Sequence, residues 1–303
     1  MTWESLDARL AATPGTVSVY VARLGHAPAY TRLPDVPHYA ASTMKIAVLA
    51  ALHRAAEAGT LHLDTPVPVR DVFDSAAPDA PRFACQQSYD NDDAVWARVG
   101  GEATLRWLAQ RMIIKSSNLA TNIVLGHVGL PAVARVWDLA GARHSVTGRG
   151  IEDFAARDGG ITNEVTAADL AALLGAIAHS ARPAEADPGQ RDPIAGPQAC
   201  REMLDVLFAQ EHREDLAAGL PDGTRIAHKN GWVHGVRHGA GVVFPDDAPP
   251  YAVVVCTTTE LADGRAAEGG HGDDEACRLI AAVSAAAWEH RQRLTPAGAP
   301  AAP

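Results

Sequence analysis

Ser42-Thr43-Met44-Lys45 places a hydroxyl and an amine three residues apart at the head of an apolar stretch. On a helix, positions i and i+3 share a face, so these two side chains can meet. A serine hydroxyl becomes a competent nucleophile when a base takes its proton. Lysine can be that base once burial or a neighbouring positive charge lowers its pKa. A helix start also offers backbone N–H groups and a partial positive charge beside Ser42, the donors that an oxyanion needs. An arbitrary Ser three residues before a Lys is ordinarily a solvated helix face. Here Tyr39-Ala40-Ala41 precede it and Ile46-Ala47-Val48 follow, and polar side chains on a buried face need a reason. The chemistry is acyl transfer through Ser42, with Lys45 as its activator.

Two further clusters carry groups that such a reaction uses. Ser116-Ser117-Asn118 opens another apolar run. Its plain reading is an N-cap cluster, since Ser and Asn are preferred there. Its functional reading is a turn offering a second hydroxyl for proton relay and an amide for binding, with Asn122 one turn later bracing it. His228-Lys229-Asn230-Gly231-Trp232 closes an expected strand. That is either an ordinary strand terminus or an edge where Lys229 and Asn230 receive an anionic or amide-bearing substrate, Gly231 permitting close approach to the backbone. Arg237 is a candidate for a substrate carboxylate or for a surface ion pair.

Other chemistries find less support. His228, His234 and His238 sit close in sequence, but their spacing matches no ligand set and no HExxH occurs, so no metal is expected. Neither a GxSxG elbow nor a GxGxxG or Walker loop is present, which speaks against an α/β-hydrolase and against nucleotide binding, and no cofactor is expected.

The elements that must position these groups follow from periodicity. Residues 3–12 read as a helix and 16–24 as a strand with Val17, Val19 and Val21 on one face. A second short strand is expected before Pro34. Residues 42–58 are helical, with Met44, Val48 and Leu52 recurring and Gly59 ending the run. Helices are expected at 102–110, 119–127, 131–139, 166–178 and 198–209. Residues 141–163 read as one long loop and 183–197 as another. The period then changes to two, giving strands at 224–228, 238–244 and 251–259, with Pro245 to Pro250 as the turn between the last two; so short a link implies antiparallel pairing. A closing helix spans 273–290, and 295–303 reads as a disordered Pro/Ala tail.

The fold class is therefore α+β. The opening strand should join the last three in one antiparallel sheet flanked by helices. The expected division is a discontinuous sheet subdomain, 1–36 with 218–303, and a helical subdomain, 37–217, carrying the first two clusters. With 303 residues and 47% apolar content, the chain can build a large core without staples. A net charge of −10 and the lack of a Lys/Arg run argue against nucleic acid and anionic membrane. Cys85, Cys200, Cys256 and Cys277 stand far apart and read as buried free thiols. No apolar run reaches membrane-spanning length. The first residues lack signal-peptide character, so the chain as written is expected in the cytoplasm, or outside it if a leader was trimmed.

The three clusters, in this order, resemble the Ser-x-x-Lys, Ser-Asp-Asn and Lys-Thr-Gly trio of class A β-lactamases and penicillin-binding proteins. The resemblance runs from about residue 16 to residue 290 and includes the sheet, helical insert and final helix. It implies a β-lactamase/transpeptidase-like fold, Ser42 as acylated nucleophile, Lys45 as base, Ser116 as proton shuttle to the leaving nitrogen, Asn118 as the amide holding the acyl side chain, and Lys229 as the strand lysine that sets the local potential. The Ser42 N–H and one from the strand after Gly231 would form the oxyanion hole, and Tyr89 would be the rim aromatic. The implied partner is a small β-lactam, amide or ester, with no cofactor, acting on a monomer or dimer.

Three positions depart from the pattern. Ser117 stands where the family has Asp, and Asn230 where it has a Thr that often binds a substrate carboxylate. The family's hydrolytic Glu-x-x-Leu-Asn setting is absent; Arg149-Gly150-Ile151-Glu152-Asp153 occupies that region, with Glu152 or Asp153 as the candidate base. Three readings stay open: a hydrolytic β-lactamase-like enzyme, an esterase, amidase or acyltransferase on the same fold, and a non-catalytic penicillin-binding-like protein.

Overall fold

A computed structural model of the protein describes residues 2–181, 194–263 and 274–294. Its organising element is an antiparallel five-stranded sheet formed by β1 (Thr16–Arg23), β2 (Tyr30–Arg32), β3 (Arg225–Val233), β4 (Val236–Phe244) and β5 (Tyr251–Thr258), in the order β3-β4-β5-β1-β2. The first strand thus pairs with the last, Val19 opposite Val255.

Alternation sorts the strand residues into two cores, because successive side chains point to opposite faces. Val17, Val19 and Val21 of β1, with Val243, Tyr251, Val253 and Val255, pack under the helices α1 (Trp3–Ala12) and, at the chain's far end, Glu275–Glu289. Ala227, Ala240, Val242, Ala252, Val254 and Cys256 face the other way, onto the larger helical mass. That mass holds α2 (Lys45–Glu57), α3 (Leu105–Ile114), α4 (Asn118–Val128), α5 (Leu130–Ala140), α6 (Ala167–Ser180) and α7 (Pro197–Phe208). The closing helix Glu275–Glu289 is α8. Every residue of α2 from Lys45 to His53 is buried, so this is a helix through the core and not a surface one. All four cysteines are buried free thiols. Among the described residues no single helix is long and apolar enough to cross a membrane.

Four local expectations need correction. The helix expected at 102–110 starts at Leu105, because Glu102–Thr104 pairs with Pro66–Pro68 and the Thr104 side chain caps the helix, accepting from Trp107 N at 3.2 Å. The long loop 141–163 contains a short strand, Val146–Thr147, and a short helix, Phe154–Asp158, capped by Asp153. Strand β3 does not stop at His228. It pairs with β4 as far as Val233 opposite Val236, so partner hydrogen bonds carry it past the expected terminus, and the reversal falls at Gly235, whose φ is +78°. Finally, Ser42 lies in a 3₁₀ turn, Ala41–Met44, that leads into α2. The tail 295–303 and most of the loop 183–197 lie outside the described residues.

Candidate active site

Ser42 owes its position to the backbone on either side of it. Ala40 N donates to Asn163 O at 2.9 Å, and His238 Nε2 lies 2.8 Å from Tyr39 O, fastening the incoming chain to β4. Ala41 is then forced to φ +44°, and Thr43 closes the turn by donating its hydroxyl to Ala40 O at 2.6 Å. Strand β3 packs against this turn at Gly231: a Cβ there would stand 2.8 Å from Ser42 N and 3.1 Å from Thr43 N. Glycine is needed so that the strand can approach the Ser42 turn, a different service from opening the backbone to substrate.

Lys45 is fully buried, one turn beyond Ser42. Its Nζ donates to Ser116 O at 2.8 Å and to Asn118 Oδ1 at 2.9 Å, with Ser116 Oγ at 3.3 Å. Burial brings its pKa down to about 7, against a smaller upward pull from Asp90. Ser116, also fully buried, adopts φ +60°, which turns both its carbonyl and its hydroxyl toward the lysine. Lys229 is buried as well, and its pKa lies well below the usual lysine value, first through burial and then through the charge of Lys45. Its Nζ donates to Asn230 O at 2.9 Å and reaches Asn230 Oδ1 at 3.3 Å.

Glu152 faces Ser42 across the cleft. It sits at φ +67° in the loop before Phe154–Asp158. Its Oε2 accepts from Gln86 N at 2.9 Å, while its Oε1 is buried with no partner. Burial, reinforced by Asp90, raises its pKa to about 7. Asp153 turns the other way and is consumed by structure: it binds Ser75 Oγ and Ala76 N, each at 2.7 Å, and caps the short helix. Of the two acids in this loop, only Glu152 lines the cleft. Among the described residues, three of the five non-glycine residues with positive φ are thus Ala41, Ser116 and Glu152, and strained backbone collects at functional sites.

The cleft has a volume of about 580 Å³ and is lined by Ser42, Asn118, Glu152, Tyr89, Trp232 and Phe154 among others. Tyr89, Phe154 and Val233 are large apolar side chains exposed at its rim (56%, 42% and 40%). Asn118 spans two elements, since its Nδ2 donates to Tyr89 O at 2.7 Å.

Two expected binding residues fall elsewhere. Arg237 pairs with Trp232 across the strands, so both occupy the sheet face opposite to Lys229 and Gly231. It is fully buried, bonded to Glu214 at 2.7 Å, with Asp215 at 3.9 Å. The surface ion pair expected from sequence is a buried one, and the guanidinium is not free for a substrate. Asn230 shares that face; it is fully buried and absent from the cleft wall, with its Nδ2 toward His212 O at 3.5 Å. His228 is also fully buried, and burial holds its pKa down to about 3.

Three further residues are anchors, one of them in a role other than the one expected. Asn122 does not brace its own turn. It clamps the Glu152 loop, donating to Ile151 O and accepting from Ile151 N, both at 2.8 Å. Asp90, which the sequence does not single out, accepts from Leu119 N at 2.7 Å and from Ser117 Oγ at 3.1 Å. Arg149, seen only as a neighbour of Glu152, is buried in the cleft wall and donates to Ile161 O at 3.0 Å.

The chain resembles solved structures over nearly its whole length. A β-lactamase from Sphaerobacter thermophilus is 26% identical, with a TM-score of 0.74 covering 98% of this chain and 100% of that one. PBP-A is 23% identical, with a TM-score of 0.73 and 94% of each chain covered. A β-lactamase from Xanthomonas campestris is 20% identical, with a TM-score of 0.72 over 94% and 97%. The last two establish likeness of fold. No curated protein sequence matches the chain. The β-lactamase enzyme family matches residues 2–291, and with that span covering both cores and the whole cleft, the chain belongs to the β-lactamase enzyme family.

Proposed function

We propose that the protein is a serine hydrolase that takes a β-lactam, or a related amide or ester, onto Ser42 and releases the acyl group to water. The observation that carries this reading is Lys45: a buried amine with a pKa of about 7, hydrogen-bonded to Ser116 and to Asn118, which lines the cleft together with Ser42 and Glu152.

A neutral lysine has two N–H donors and one lone pair. The two short bonds, to Ser116 O and Asn118 Oδ1, use both donors and leave the lone pair to take the Ser42 proton. The Ser42 oxygen then attacks the carbonyl carbon. The oxyanion is received by the N–H of Ser42, which a first helical turn leaves without an internal partner, and by the N–H of Trp232, next after Gly231 on β3. As the carbon–nitrogen bond breaks, the Ser116 hydroxyl hands its proton to the leaving nitrogen and takes one from Lys45. Lys229 keeps this region positive. In the second half, Glu152 draws a proton from water, the hydroxide attacks the ester carbonyl, and that proton returns to the departing Ser42 oxygen, freeing it as the hydroxyl. The unpartnered Oε1 is an acceptor placed for that water. A variant of PBP-A, similar in fold, is known as an acyl-enzyme complex with penicillin G, which supports acylation as the first step.

Intact mass measured after exposure to penicillin G and to an activated ester tests the reading, with nitrocefin turnover measured beside it. A transient adduct on Ser42, missing in Ser42→Ala, is the expected result. Absence of any adduct or turnover with either probe overturns it.

A further inference from the structure

We propose that Asp90 is a positioning residue of the acylation site, holding the Ser116-Ser117-Asn118 turn from the rim loop as an acid at the helix cap would hold it from within. This rests on the acylation of Ser42 argued above. The turn has an unusual burden. Ser116 is fully buried at φ +60°, and its carbonyl and hydroxyl both face Lys45. A non-glycine residue in that conformation persists only when its surroundings over-determine it.

The surroundings come from two side chains. Ser117 caps α4, accepting from Ala120 N at 3.1 Å. Its own hydroxyl proton goes to Asp90 Oδ2 at 3.1 Å, and the same oxygen accepts from Leu119 N at 2.7 Å. One carboxylate oxygen thus satisfies the cap residue and the second N–H of the helix, a charge-assisted arrangement at the positive end of the helix. The other oxygen accepts from Asn91 N at 2.7 Å and Asp92 N at 3.1 Å, which fixes the rim loop itself. Tyr89, one residue earlier, receives Asn118 Nδ2 on its carbonyl at 2.7 Å. The rim loop and the catalytic turn are locked as one piece, and Asp90 is the joint.

The geometry makes the pair reversible. Asp is as good a cap as Ser, and an acid at 117 can reach both Leu119 N and Ala120 N; a serine at 90 can then donate to it. Asp90→Ser with Ser117→Asp keeps the acceptor for Leu119 N and Ala120 N and the contact between the two side chains with its donor reversed, while the bonds from Asn91 N and Asp92 N fall to a single hydroxyl oxygen. Asp90 also faces the two titrating groups of the cleft. Asp90 raises the pKa of Lys45 and of Glu152, while Lys45 lowers that of Lys229. The Lys45 shell is completed by the carbonyls of Ser116 and Ser117 and by Asn118 Oδ1; the Glu152 shell holds Gln86 N and the Cys85 thiol.

The experiment measures the acylation rate of Ser42 by penicillin G for the wild type, Asp90→Ser, Ser117→Asp, the reciprocal double variant and Asp90→Asn, with melting temperatures recorded alongside. Asp90→Ser should acylate about 10- to 100-fold more slowly, the scale of one lost charge-assisted hydrogen bond, and the double variant should return to within about 3-fold of wild type. Asp90→Asn, close in shape, should move the acid limb of the acylation profile to lower pH, because removing the negative charge favours neutral Lys45. An Asp90→Ser enzyme at wild-type rate, a folded double variant no faster than Asp90→Ser, or an unmoved acid limb in Asp90→Asn overturns the proposal. A wild type that never acylates fails the functional reading itself, which is a separate result.

Discussion

The two sides of Ser42 are built to different standards. On one side Lys45 Nζ, Ser116 and Asn118 are joined by short hydrogen bonds, all in or against α2 and the start of α4. On the other side Glu152 hangs in a loop at φ +67°, with one oxygen held by Gln86 N and the other unpartnered. Under the proposed mechanism the acylating half is a closed network resting on core helices, and the hydrolysing half is a single carboxyl group on a loop that Asn122 pins at Ile151. That mechanism assigns pre-organisation to the first step, and adjustability with vulnerability to the second.

Breaking the network should therefore stop everything. Lys45→Met keeps the volume and removes the base. Loss of a positioned general base costs about 10²- to 10⁴-fold, so acylation by nitrocefin should fall by at least that much, with no adduct in the mass spectrum. A variant that still gave a full acylation burst would assign the Ser42 proton to another base and dissolve the contrast.

Removing Glu152 should split the reaction. Glu152→Gln leaves the Lys45 network untouched, so the burst of acylation should survive near its wild-type rate. Release should slow by about 10²- to 10⁴-fold, and the adduct on Ser42 should persist. Equal losses in both steps would show that Glu152 serves the whole site and not one half of it.

The halves should also differ in how pH acts on stability. The folded-state pKa of Lys45, about 7, lies below its ordinary 10.5. Between those values the unfolded chain holds the extra proton, so the contribution of Lys45 rises with pH across that window. The folded-state pKa of Glu152, about 7, lies above its ordinary 4.5. Between those values the folded chain holds the extra proton, so that contribution is fully present below 4.5 and is lost as pH rises through 7. The site is least comfortable near pH 7, where both bases are poised. Urea unfolding across pH 4–10 should show the rising limb flattened in Lys45→Met and the falling limb flattened in Glu152→Gln, each relative to wild type. Identical pH dependence in all three proteins would remove the electrostatic basis of the contrast.

How much of this was legible in the sequence follows the range of the forces involved. The β1–β5 sheet was visible because alternation is local: Val17, Val19 and Val21 announce a face on their own. The run from Met44 to Leu52 announces a buried helix in the same way. Lys45 and Ser116 stand out in the sequence because chemistry restricts residue type. Everything set by a distant partner was hidden. Strand β3 runs past Asn230-Gly231 because β4 lies beside it, and the face of Arg237 depends on its register with Trp232. Asp90 looks like an ordinary polar residue, and Asn122 like a brace for its own turn, until the elements they fasten are brought together.

Asn122 gives the gentlest test. Its amide grips both backbone groups of Ile151, the residue before Glu152, and also lies 3.1 Å from Cys85 Sγ. Asn122→Ala strips the loop of that grip without touching Ser42, Lys45 or the cap of α4. Leaving two buried backbone groups unpaired costs on the order of 1–3 kcal/mol, so the melting temperature should fall by several degrees. Glu152 would then wander from its place by a fraction of an ångström or more. Release of the acyl group should slow about 10-fold while acylation changes by less than about 3-fold, since small misplacements are costly only for the group displaced. Single-turnover measurements separate the two rates. If they fell together, the Glu152 loop and the Lys45 network would be one cooperative unit, and the difference in construction between the two sides of Ser42 would carry no functional meaning.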